Sequence, residues 1–395
     1  MSISKVEARN MRKSFGMLLL IIVTSLFVGC GGSSDSNSSS SSGSDANTYT
    51  GLDSVTALSS AQLDVPLRSN VAGFCYLESF SMQIAYLKPN ISRAKVFAYA
   101  LFGAPIYWNS YDGALEPNES YVDFNYISAL QNLGVDFVLG SGSAAGYGQL
   151  EDYASGKLIF SSEDEALETL KKGLTDDRPV QVHIDLSKIT TPTNYHPYFL
   201  GGDATGGSSH YLVVTGYDES NIYLNEASQD QDPSDGFEDE SSVKDFAVPV
   251  DVFMEAWEAA GDITDVGPYW MLFFAEKKGV NISDTKTSSE IISIHKTAAL
   301  NNESIINAHI DELQNTSSIR WFYHKISLLK SLFADYLEEV GYSCDSTAVT
   351  KYNELSDHYE TLCNVSDGED GLNTQQAELE DAIGPKETEA ANALS

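Results

Sequence analysis

In "GFCYLESFSMQIAYL", residues 73 to 87, the apolar side chains Leu77, Phe80, Ile84 and Leu87 recur at three- and four-residue steps. That spacing predicts one buried stripe of an amphipathic helix that opens at Cys75. A second helix is predicted over Arg93 to Leu101, and the Gly-, Tyr- and Ser-rich text from Gly103 to Tyr121 reads as loop. "SSEDEALETLKKGLTDD" offers Ser162 as a cap, with acidic residues Glu163 to Glu165 in the first turn and Lys171 and Lys172 near the end, as caps and the helix dipole favour. In "RPVQVHIDL", Val180, Val182, Ile184 and Leu186 alternate as a half-buried strand, which sends His183 to the polar, exposed face. "HYLVVTGYDESNIYLNEA" reads as a β-hairpin with strands starting at His210 and Ile222 and a turn over Asp218 to Asn221. "VPVDVFMEAW" is a short helix and "YWMLFFAEKK" a hydrophobic closing strand.

The pattern changes after Gly279. Gly and Pro become rare, and Ile319, Phe322, Ile326, Leu329, Phe333, Tyr336 and Val340 form one long helical stripe. The reading is an α+β domain over residues 51–280, a C-terminal α-helical domain over 283–366, and an acidic, frayed tail over 367–395.

The N-terminus reads as an export signal over residues 1–29. Lys5, Arg9, Arg12 and Lys13 precede an apolar run from Met17 to Val28, too short to span a bilayer as a helix. "LFVGC" resembles the lipobox of bacterial lipoproteins, with Phe27 where Leu is commonest. The resemblance implies lipidation of Cys30 and a lipid anchor in the cell envelope. Gly31 in the next position points to the outer membrane rather than inner-membrane retention. The Ser/Gly-rich text over residues 30–50 is a flexible tether. A net charge of −34 disfavours nucleic acid and anionic lipid surfaces. With 11% aromatic residues, the chain still has what a packed globule needs.

Four cysteines then raise a chemical question. Cys30 is assigned to lipid, and an exported protein would bridge Cys344 to Cys363 within one helical region. Cys75 is left over, in a helix first turn where unpaired N–H groups and the dipole favour anionic sulfur. A thiol becomes a useful nucleophile when an imidazole lies within reach and a third group orients that ring. His210, on the first strand of the hairpin, and Asn225 or Glu226, at the end of the second, fill those positions in the sequence. The latter two point to opposite faces of their strand, so only one can address the histidine.

"CYLESFSMQIAY" resembles the Cys-x-x-x-Ser-x-x-Met-x-x-x-Tyr helix of papain-superfamily enzymes related to bacteriocin-leader peptidases, through Cys75, Ser79, Met82 and Tyr86. "VPLRSN", "RPVQVHID", "GGSSHYLVVTGYD" and "YLNEA" are similar to their lead-in, central strand, histidine strand and closing motif, and the match spans about residues 60 to 278. The same elements are similar to the N-terminal domain of butirosin-type acyltransferases. The resemblance implies a papain-like fold with Cys75 as nucleophile, His210 as base, Glu226 where the family carries Asp or Asn, and Asn70 where it carries an oxyanion-binding Gln. The expected activity is that of a thiol-dependent peptidase or amidase on a peptide or amide substrate, with no cofactor. Acyl transfer on the same triad is the alternative. The departures at Glu226 and Asn70 also keep open a non-catalytic surface binding protein, with the helical domain docking a protein partner. No metal is expected: His295, His309, His324 and His358 lack ligand spacing, and "DQDPSDGFEDE" lacks that of an EF-hand. His196 is a loop residue.

Overall fold

The computed structural model describes residues 49–68, 75–102, 104–110, 114–117, 122–143, 150–189, 209–226, 244–263, 266–314, 317–365 and 369–394. Cys30, Asn70, His196 and the acidic loop "DQDPSDGFEDE" lie outside them. Among the described residues no helix is long and apolar enough to cross a membrane.

The structure is α+β and is organised by an eight-stranded mixed sheet. Its strands are β1 (Ala61–Gln62), β4 (Phe137–Ser141), β5 (Gly156–Ile159), β6 (Val180–Asp185), β7 (Ser209–Tyr217), β8 (Asn221–Asn225), β9 (Phe246–Pro249) and β10 (Met271–Phe274). The order is β5-β4-β10-β6-β7-β8-β9, with β1 pairing to the end of β7. Among the described strands only β4 and β5 pair in parallel. The segment expected as loop after Gly103 contains a small hairpin of its own, β2 (Ile106–Asn109) with β3 (Ala114–Pro117). At the bulge in β7, Gly216 lets β1 come close: a Cβ there would run into the Gln62 side-chain oxygen and lie 2.7 Å from the Ala61 carbonyl.

Strand alternation sends side chains to two separate cores. Val138, Val180, Val182, Ile184, Met271 and Phe273 pack with helices α4 (Glu163–Thr175) and α5 (Val250–Ile263). Phe137, Leu139, Leu272 and Phe274 face the other way, against α1 (Cys75–Leu87), α2 (Arg93–Tyr99) and α3 (Val122–Leu133). The predicted stripe of α1 lies in this second core, while its Met82 and Tyr86 reach the first. The helix is therefore buried all round, not amphipathic. Its polar side chains serve as fasteners. Ser79 Oγ donates to the Tyr211 carbonyl at 3.1 Å, and Gln83 Nε2 donates to the carbonyls of Pro179 at 2.9 Å and Leu272 at 3.0 Å.

The C-terminal region is helical, as its periodicity predicts, but it shares a core with the mixed domain. It comprises α6 (Ser288–Ala299), α7 (Asn302–His309), α8 (Ser317–Glu339), α9 (Thr347–Cys363), α10 (Glu369–Glu378) and α11 (Gly384–Ala393). Ile326, Leu329, Phe333 and Tyr336 of α8 join the core that holds α1 to α3. Polar ties reinforce the seam: Asn302 bonds the backbone of Ala104 and Ile106, and Lys88 and Lys95 both reach Asp284. The expected domain boundary near residue 283 is thus a continuous packed interface.

Two further expectations are corrected. The acidic tail does not fray: Leu379, Ile383, Ala390 and Leu394 are buried, and Glu387, also buried, pairs with Lys330 at 2.8 Å. Cys344 and Cys363 are not joined by a disulfide. Cys344 precedes the 17-residue α9 and Cys363 ends it, so the helix holds them about 25 Å apart at 1.5 Å per residue. Bridging needs Cα atoms within about 7 Å.

Candidate active site

Cys75 is the first residue of α1, half-buried where that helix meets the sheet. β7 carries His210 one residue from its start, and the pairing Val213↔Asn225 fixes what β8 presents to it. Continuing that register, Glu226 falls opposite Leu212 on the face shared with His210, and Asn225 falls on the other face. Glu226 is then a diagonal neighbour of His210, at a separation that long side chains span.

The contact is made: His210 Nε2 lies 2.7 Å from Glu226 Oε1, and the carboxylate is fully buried. The Cys75 sulfur also hydrogen-bonds the imidazole. Burial pulls the His210 pKa down. The Glu226 carboxylate and the Cys75 sulfur outweigh it, and the pKa stands well above the ordinary histidine value. A protonated ring between sulfur and carboxylate is the charge state this arrangement favours.

Asn225 is used elsewhere. Its Nδ2 donates to the Val65 carbonyl at 3.2 Å, and its Oδ1 accepts from the Asp245 N–H at 2.8 Å. It ties the lead-in strand region to β9 and does not address His210. Asn70 lies outside the described residues, as do residues 190–208 and 227–243, which adjoin the site in sequence.

His183, expected on an exposed face, is fully buried. The polar face of β6 is the seat of α1: Gln181 Nε2 donates to the Tyr76 carbonyl at 2.8 Å, and the His183 ring lies 4.6 Å from that of Tyr211. His183 Nε2 is 2.7 Å from Ser209 Oγ. Burial first, and the positive charge on His210 second, push its pKa down to about 3, so it stays neutral beside the charged ring. Alternation alone could not find it, because the sequence does not say that a helix with polar fasteners covers that face. One turn into α1, Glu78 is buried against Arg93, and burial raises its carboxyl to about 7 against the pull of that guanidinium. The acidic depression lined by Glu163, Asp164, Asp251, Glu255 and Glu258 shares no residue with this site.

Compared with protein-family models, curated proteins and solved structures, the chain matches none.

Proposed function

We propose that this protein is an exported thiol-dependent peptidase or amidase of papain-like type, tethered to the cell envelope through Cys30. The observation that carries the reading is the chain of hydrogen bonds from the Cys75 sulfur through His210 to the buried Glu226 carboxylate. It is supported by the position of Cys75 at a helix N-terminus packed against the antiparallel strand that carries the histidine.

In this mechanism Cys75 is a thiolate paired with the His210 imidazolium. The sulfur attacks a peptide or amide carbonyl carbon, and the C=O electron pair moves onto oxygen. The Cys75 backbone N–H and the Asn70 amide are the proposed donors to that oxyanion. As the intermediate collapses, His210 passes its proton to the leaving nitrogen, the C–N bond breaks, and an acyl-thioester remains. Water then gives a proton to His210 as it attacks the thioester, which releases the acid and restores the ion pair. Glu226 keeps the ring oriented and compensates its charge throughout.

The test is the rate of iodoacetamide alkylation of Cys75 as a function of pH, in the wild type and in His210→Ala. Fast alkylation that persists well below the free-thiol pKa of about 8.5, and is lost in the variant, is expected. An ordinary thiol profile, unchanged by the substitution, would refute the ion pair and leave a fold kept for binding.

A further inference from the structure

A second group of chemically active side chains lies away from Cys75, on the hairpin of α8 and α9. His324 on α8 and Glu360 and Cys363 on α9 place one ligand atom each so that all three lie within 4.8 Å of one another. Glu360 and Cys363 are three residues apart and share a helix face. His324 approaches from the neighbouring helix, with Nδ1 2.8 Å from Glu360 Oε2. Further along the hairpin Ser327 Oγ meets Ser356 Oγ at 3.0 Å, a second polar tie between the two helices. Beneath it Tyr323, Tyr359 and Leu362 are fully buried. The three donors therefore project from a fixed backbone, as a metal site needs.

We propose that His324, Glu360 and Cys363 bind a Zn²⁺-class ion that clamps α8 to α9. Three arguments carry this. The donor set is sulfur, imidazole nitrogen and carboxylate oxygen, which suits zinc and not the hard cations magnesium and calcium. The charges match: with thiolate and carboxylate ionised and the imidazole neutral, the donors carry the two negative charges that a divalent cation neutralises. The spacing fits as well. Tetrahedral coordination at bonds of about 2.0–2.3 Å puts ligands about 3.3–3.8 Å apart, which side-chain rotations of about an ångström reach from the separations observed. His324 and Glu360 keep 27% and 43% of their side-chain surface exposed, so a water can take the fourth position. Binding releases the Cys363 proton to solvent as the sulfur–metal bond forms. The ion would do for Cys363 what the expected disulfide cannot, holding the sulfur against oxidation and cross-linking the helical layer.

The test is Co²⁺ titration of the full chain, reduced and freed of metal, read by the near-ultraviolet thiolate-to-cobalt charge-transfer band, with Zn²⁺ displacing the cobalt. One equivalent is expected to bind in the wild type, Cys75→Ser and Cys344→Ser. The band should vanish in Cys363→Ser. His324→Gln and Glu360→Gln should each weaken binding by at least about 100-fold, the upper end of what is lost when only a partner behind a metal ligand is removed. Zn²⁺ should raise the melting temperature of the wild type and not that of Cys363→Ser. Absence of stoichiometric binding, a band that survives Cys363→Ser, or one that needs Cys75 would overturn the proposal. Should Cys363→Ser fail to fold, the glutamine variants at the half-exposed positions decide: unchanged affinity in both overturns it.

Discussion

Glu226→Gln separates charge from orientation at the candidate active site. The amide oxygen can still accept from the His210 ring at the 2.7 Å contact, so the imidazole stays in place while the buried negative charge disappears. With charge centres about 4 Å apart and an effective dielectric of about 20, the lost attraction is about 4 kcal/mol. At about 1.4 kcal/mol per tenfold, the thiolate–imidazolium population on which the proposed mechanism depends, and with it the reactivity of Cys75, falls by up to about 10³-fold at neutral pH. The assay is peptide mass spectrometry after timed iodoacetamide exposure across a pH series. The exposed Cys344 in the same molecules serves as an internal reference. The expected result is a slow Cys75 at pH 6 to 7 that recovers toward the wild-type rate as the pH rises past the free-thiol value of about 8.5, with Cys344 unchanged. Equal Cys75 rates in folded Glu226→Gln and wild type would refute the role given to the carboxylate. So would Asn225→Ala slowing Cys75 as much, because Asn225 is spent on Val65 and Asp245.

Three further outcomes follow from the packing. Burial, opposed by a bond from the ring to the Ala98 carbonyl, lowers the His295 pKa from 6.5 to about 4. Between those values only the unfolded chain takes up the proton, so stability is lost as pH falls through that window, by about 3 kcal/mol. Urea midpoints at pH 7 and 4.5 should differ less in His295→Gln than in the wild type, and an identical pH dependence would refute the assignment. Glu387→Ala leaves the buried Lys330 ammonium without the carboxylate that also accepts from Tyr359 and Asn302, and should cost about 3–5 kcal/mol in chemical denaturation. A loss below 1 kcal/mol would mean that the tail contributes little to the core. Gly216→Ala drives a Cβ into Ala61 and Gln62 of β1 and should destabilise by about 1–3 kcal/mol. A neutral melting temperature would show that β1 shifts freely.

The linear sequence was enough for what depends on near neighbours. The three- and four-residue recurrence after Cys75, the Ser162 cap, and the hairpin on either side of Asp218 to Asn221 all follow from local periodicity and capping, and the structure has these elements. The pairing of Cys75 with His210 as candidates also came from the sequence, through the motif that surrounds them. What crosses between elements was out of reach. Which of Asn225 and Glu226 meets the histidine depends on the register Val213↔Asn225, and one residue of slip would exchange them. His183 reads as exposed until α1 is laid over its face. The expected disulfide fails because α9 runs unbroken between its two cysteines, and the same helix brings Cys363 beside Glu360 and His324. Periodicity reports which face of an element is apolar. Only tertiary packing decides which polar residue on the remaining face meets a partner, because that partner comes from elsewhere in the chain.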